Sequence, residues 1–243
     1  MPISTPDSGA TLAWSSPPED APVLARLEKQ LPTLLSVIAG MVDVTGFLTL
    51  GNIFTAHITG NLVVFAAVLV RGGPLNLAQA LAVPVFVLAV AAVWLVARAS
   101  GKRGPALARL LLLVQFLLLG GVMVFSVITS PSATLHGLTA GIAVMIAVSA
   151  MACQYTLLRL AVPGALSTAV MTGNLTNATL SLLDTLAPTQ KLEEGATERL
   201  RRSFDLLIGF LVGCVAGAAA VSLLGDWAWS LPVVLAGVAV AWR

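Results

Sequence analysis

The sequence predicts an all-α integral membrane protein, a polytopic bundle of about seven or eight transmembrane helices built from two repeated halves. Three observations lead there. Of the 243 residues, 58% are hydrophobic and 10% charged, whereas soluble domains carry about a quarter charged residues. Apolar runs at 80–97, 107–128 and 206–224 approach or exceed the roughly 18–20 residues with which a helix crosses about 30 Å of hydrocarbon. Residues 54–63, FTAHITGNLV, match residues 167–176, STAVMTGNLT, at six of ten positions with an offset of 113. No comparable series of short alternating segments speaks for a β-barrel, and lipid excludes most other backbone arrangements.

In chain order, residues 1–24 are rich in proline, serine and acidic residues and lack a basic start followed by an apolar stretch, so they read as a flexible tail, not a cleaved signal peptide. Hydrophobic segments follow at 31–50, 53–70, 78–98, 106–129, 135–160, 165–186, 204–224 and 227–242. Those at 53–70 and 165–186 are interrupted by Thr and Asn, and the first also by His57, a composition that suits broken or re-entrant helices lining a cavity. The last is short and holds Pro232, as a tilted or partial span would. The organisation is therefore a tail at 1–24, a first repeat at 25–130 and a second at 131–243. Four spans per half would give the halves one orientation, and three would invert them.

A net charge of +2 without a long run of Lys and Arg sets nucleic acid aside as a partner. Cys153 and Cys214 lie in apolar segments as small hydrophobes, and with two histidines they make no metal spacing. No HExxH, GxSxG or P-loop is present, so the chain reads as no enzyme, with no catalytic residues, no metal, no cofactor and no ATP-driven transport of its own. Orientation rests on basic loops. Arg98, Lys102, Arg103 and Arg109 ask for the cytoplasm, yet Lys191, Arg199, Arg201 and Arg202 fall on the opposite side if all eight segments cross.

Polar groups inside the segments carry the functional signal. Asp43 lies roughly 18 Å along its helix from Leu31, near mid-membrane, where a charge is costly and marks ion or proton paths, or else is a protonated group bonded to a neighbouring helix. His57 and Asn61 share a face on a continuous helix, and a His57–Asp43 pair would make a proton-responsive site. Against this, Val170 replaces His57 in the second copy. Thr59-Gly60-Asn61 and Thr172-Gly173-Asn174 place glycine between hydrogen-bonding side chains, suiting an unwound binding stretch or close helix contact. Gln154 stands where the first half has Asp43, and Arg159 reads as an interfacial residue with a snorkelling stem. Gly209, Gly213 and Gly217, with Ala216 and Ala220 beside them, form a stripe for close helix packing.

The run Gly40-Met-Val-Asp43-Val-Thr-Gly46-Phe47-Leu48, then His57-Ile-Thr59-Gly60-Asn61, Gln154 and Thr172-Gly173-Asn174, resembles the YoaK-like family of uncharacterised bacterial membrane proteins, a domain of unknown function. The resemblance covers nearly the whole hydrophobic chain and leaves out the tail at 1–24. Arg159 stands where such proteins commonly carry a basic residue, whereas Ala152-Cys153 departs from their glycine-rich lead-in. It implies a multi-pass protein of the bacterial inner membrane and no settled substrate. The expected function is a secondary transporter or permease for a small polar solute, proton-coupled through Asp43, with its site formed by Asp43, His57, Thr59, Gly60, Asn61, Gln154, Thr172, Gly173 and Asn174. The alternative is a non-transport membrane scaffold or subunit. The expected partners are the lipid bilayer, an unidentified small solute and further copies of the chain.

Overall fold

The structure, a computed structural model, describes residues 21–72, 76–133, 135, 137–186 and 196–241. Most of the tail expected at 1–24, together with Lys191, Glu193, Glu194 and Trp242, lies outside the described residues. Among the described residues all regular structure is helical. The helices are α1 (Ala21–Thr49), α2 (Gly60–Arg71), α3 (Leu77–Ser100), α4 (Gly104–Thr129), α5 (Leu138–Ala161), α6 (Met171–Leu186), α7 (Ala196–Leu224) and α8 (Ser230–Ala241). Five stretches are long and apolar enough to cross a membrane, the last of them, Thr197–Ala241, taking in both α7 and α8. The apolar helix α2 is shorter.

Local chemistry ends the helices where the chain turns. Asn76 caps α3 by accepting from the Ala78 N–H at 3.1 Å, using a side chain that competes well for an orphan amide. Gly101 closes α3 at φ +62°, a left-handed conformation that glycine adopts without strain.

The most apolar windows of α1 and α5 are each 67% buried and that of α3 only 17%, so α1 and α5 form the centre and α3 faces outward. The helix contacts fall into matching pairs. α1 lies along α7 as α5 lies along α3, α2 packs on α3 as α6 packs on α7, α4 meets α5 as α8 meets α1, and α4 meets α8. α1 and α7 run parallel, with Gly209 facing Thr33, Gly213 facing Val37 and Gly217 facing Met41. A side chain on Gly213 would run into the Val37 carbonyl, and one on Gly40 into the Phe210 carbonyl, which is why the glycine stripe lies at this contact. α3 and α5 are also parallel: Ala78 approaches Gly141 at one end, and Phe86 meets Tyr155 further along.

One end of the bundle is basic. There Leu24 lies beside Gly104, Glu28 beside Gly164, and Glu28 and Lys29 line a small cavity with Arg202. The starts of α1, α4 and α7 and the end of α5 therefore share this face. At the far end Leu135 abuts Gly51, the Asn76 amide donates to the Gly51 carbonyl at 3.5 Å, and Ser132 donates to Asp226 at 2.7 Å. The segment before α2 leaves the far end at Gly51, dips inward, and returns there by Asn76. The segment before α6 leaves the basic end at Gly164, dips to Gln154, and α7 begins again at the basic end.

Candidate functional site

Asp43 sits in α1 about 9 Å inward of Thr49 by helical rise. One turn on, Gly46 leaves room for Thr55: a Cβ there would come within 2.8 Å of the Thr55 methyl. The dipping segment thus lies flat against α1. Thr55 Oγ1 donates to the Val42 carbonyl at 3.0 Å, and the Phe47 and Phe54 rings pack with centroids 5.0 Å apart.

Asp43 Oδ1 accepts from the backbone N–H groups of Thr55 and Ala56, both at 2.8 Å, and of His57 at 3.3 Å. Its Oδ2 meets His57 Nδ1 at 2.7 Å. When the carboxylate is ionised it only accepts, and Nδ1 then carries the proton in this bond. Four donors converge on one buried carboxylate, close to its full capacity. The His57 side chain is 36% exposed, and its ring meets Phe210 of α7 edge-on at 5.1 Å. Buried Asn61, in the first turn of α2, closes the segment from the other side: its Oδ1 accepts from the Phe54 N–H at 2.9 Å and its Nδ2 donates to the Phe54 carbonyl at 2.7 Å.

A comparable arrangement of neutral groups surrounds Gln154. Gln154 Nε2 donates to Thr168 Oγ1 at 3.3 Å and to the Leu35 carbonyl of α1 at 3.0 Å, while its Oε1 accepts from Gln115 Nε2 at 2.7 Å. Asn174 Nδ2 donates to the Ser167 carbonyl at 2.9 Å. Each asparagine therefore reaches the residue seven positions before it. The pairs Phe54/Ser167, Thr55/Thr168 and Asn61/Asn174 share the 113-residue offset seen in the sequence. Tyr155 joins the two clusters by donating its hydroxyl to the Ala56 carbonyl at 3.1 Å.

Of the expected site residues, Asp43, His57 and Asn61 come together around residues 54–57. Gln154 holds a separate cluster, and Asn174 is bound to its own loop. Thr59 and Thr172 are exposed, Gly60 packs on the Phe54 ring, and Gly173 packs on Val170. His57 precedes α2 and so shares no helical face with Asn61. Sequence reasoning left Gln115 and Tyr155 out of the site, together with Thr168 and with Thr55, which it took only for a helix-face residue. Gln115 interrupts an apolar run and was visible on that ground, and the two threonines hold matching places in the repeated decapeptide. Gln115 Oε1 and Thr45 Oγ1 are buried with no hydrogen-bond partner among the described residues. No group of three metal-binding side chains occurs among the described residues. The five cavities described open elsewhere, and none is lined by Asp43, His57, Asn61, Gln154 or Asn174.

Comparison with known proteins places this chain in a family. The family described as "Protein of unknown function (DUF1275)" matches residues 31–242. The UPF0700 transmembrane protein YoaK of Bacillus subtilis (strain 168) is 51% identical over 39 residues, which cover 16% of this chain and 17% of that protein. No solved structure matches the chain.

Proposed function

The chain belongs to the DUF1275 family of multi-pass membrane proteins, and on that premise we propose that it is a secondary transporter or permease for a small polar solute, coupled to protons through Asp43 and His57. The observation that carries the reading is the matched pair of dipping segments. In each, a polar residue in the last third of its helix, Asp43 of α1 or Gln154 of α5, holds the segment in place, and the asparagine of a Thr-Gly-Asn motif ties it back. Interrupted helices related by an internal repeat are the usual build of a secondary transporter's midplane site.

On this reading α2 and α6 enter and leave the membrane on one face each, so each half crosses three times and the halves are inverted. That arrangement removes the conflict over orientation, because Arg98, Lys102, Arg103, Arg201 and Arg202 then share the cytoplasmic side. The protein is read as non-enzymatic and as resident in the bacterial inner membrane, with self-association left to experiment.

The alternative, a non-transport scaffold or subunit, is favoured by one observation: all four hydrogen bonds to the Asp43 carboxylate come from the chain itself. The test is thermal stability of the purified protein across a metabolite and ion library at two pH values, beside Asp43→Asn. A compound that stabilises wild type in a pH-dependent way and fails with Asp43→Asn supports transport, since ligands of the folded state raise its melting temperature. Silence across the library, with a sharply destabilised variant, supports the scaffold.

A further inference from the structure

Two neighbouring surface cavities between α3 and α5 share Trp94 and Leu160. One, of about 610 Å³, runs along Val87, Val90 and Ala91 toward Arg159. The other, of about 560 Å³, opens at the basic end beside Arg98, Lys102 and Arg103. Together they make a continuous groove, apolar along its length and cationic at its mouth, and no acidic side chain lines either part.

We propose that this groove is a binding site for one anionic phospholipid, its phosphate held by Arg98, Lys102, Arg103 and Arg159 and an acyl chain laid between α3 and α5. Three observations support that occupant. Among the described residues none of the four cations forms an ion pair, so no described carboxylate compensates their charge. From Val87 to Arg98 the helical rise is about 16 Å, which matches one leaflet, half of the ~30 Å hydrocarbon core. Trp94 lies where an interfacial aromatic belongs, with the Arg98 guanidinium stacked over its ring at 4.5 Å, so that the cation is held at the groove mouth. Zwitterionic lipid fills the apolar part equally well and gains nothing net at the mouth. Basic pockets between helices select anionic headgroups by this difference.

The experiment uses the full chain in nanodiscs and reads quenching of tryptophan fluorescence by brominated acyl chains, with Trp94→Phe subtracted to isolate the groove. Brominated phosphatidylglycerol quenches the Trp94 component at a several-fold lower mole fraction than brominated phosphatidylcholine. Each cation removed weakens that preference, so Arg98→Gln with Arg159→Gln lowers it by about twofold or more, with Lys102 and Arg103 sustaining the remainder. Both arginines are exposed, and a monodisperse elution profile checks that the variant is folded. Equal quenching of wild type by the two lipids, or a preference that the double substitution leaves unchanged, overturns the proposal. Loss of the preference on adding millimolar inorganic phosphate also overturns it, because the mouth would then be a free-anion site.

Discussion

Asp43→Asn and Asp43→Ala separate what the carboxylate's charge contributes from what its oxygens contribute. Asn keeps one oxygen facing the Thr55, Ala56 and His57 amides, so three bonds change from charge-assisted to neutral, while the contact with His57 Nδ1 loses its acceptor because an amide nitrogen only donates. Bonds to charged groups contribute ~1.5–3 kcal/mol and neutral ones ~0.5–1.5, so the loss is about 1 kcal/mol per bond and roughly 2–4 kcal/mol for a network whose members share one acceptor. Ala removes the acceptor altogether. Three backbone N–H groups then lose their partner, each costing ~1–3 kcal/mol where water cannot replace it. The resulting ~3–9 kcal/mol is a large share of the ~5–15 kcal/mol that holds a typical protein folded. His57→Phe forfeits one bond from a side chain that is 36% exposed and costs about 1–2 kcal/mol. Retention of a monodisperse elution peak after heating measures all three. The expected order of damage is Asp43→Ala, then Asp43→Asn, then His57→Phe. An Asp43→Ala protein that melts with wild type would refute the idea that the carboxylate organises residues 55–57.

Three further outcomes follow from the packing. Gly213→Val lowers thermal stability by at least the ~1–3 kcal/mol typical of overpacking, since its side chain meets the Val37 carbonyl; Gly120→Ala, with open space around it, leaves the melting temperature unchanged within error. Gln154→Ala costs about 2–4 kcal/mol because it strands the Gln115 amide and removes the bonds to the Leu35 carbonyl and Thr168, and a melt of Gln115→Leu, which also removes an unpartnered oxygen, shows the smaller loss. Asn61→Leu and Asn174→Leu each free their own loop, so hydrogen exchange speeds up at residues 53–58 and 166–170 respectively, and neither variant affects the other loop.

Much of the fold was legible because apolar length is a direct consequence of the bilayer. Each of the eight hydrophobic segments overlaps one helix, from α1 to α8. The boundaries slipped where charge or breaks mislead. α1 begins at Ala21, ten residues before the apolar run at Leu31, since Arg26, Glu28 and Lys29 form a polar first part that hydropathy ignores. α2 and α6 begin late, at Gly60 and Met171, because the residues before them bond to side chains of α1 and α5 in place of a helical ladder. Asp43 stood out as a lone charge in an apolar helix, and its pairing with His57 was within reach. The direction of α2 and α6 was not, because a short apolar helix has the same composition whether it crosses or turns back. Asn61 and Asn174 could be seen as matched, but only the fold reveals that both amides bond to their own loops.

Sided labelling tests the inverted arrangement most directly. In a Cys153→Ala and Cys214→Ala background, Lys102→Cys, Arg201→Cys and Ser132→Cys are exposed in turn to a membrane-impermeant maleimide, in intact cells and in inverted vesicles. If α2 and α6 turn back, Lys102→Cys and Arg201→Cys react from one side and Ser132→Cys from the other. If Lys102→Cys and Arg201→Cys instead react from opposite sides, α6 crosses the membrane, the halves are not inverted, and the transport reading loses its architecture.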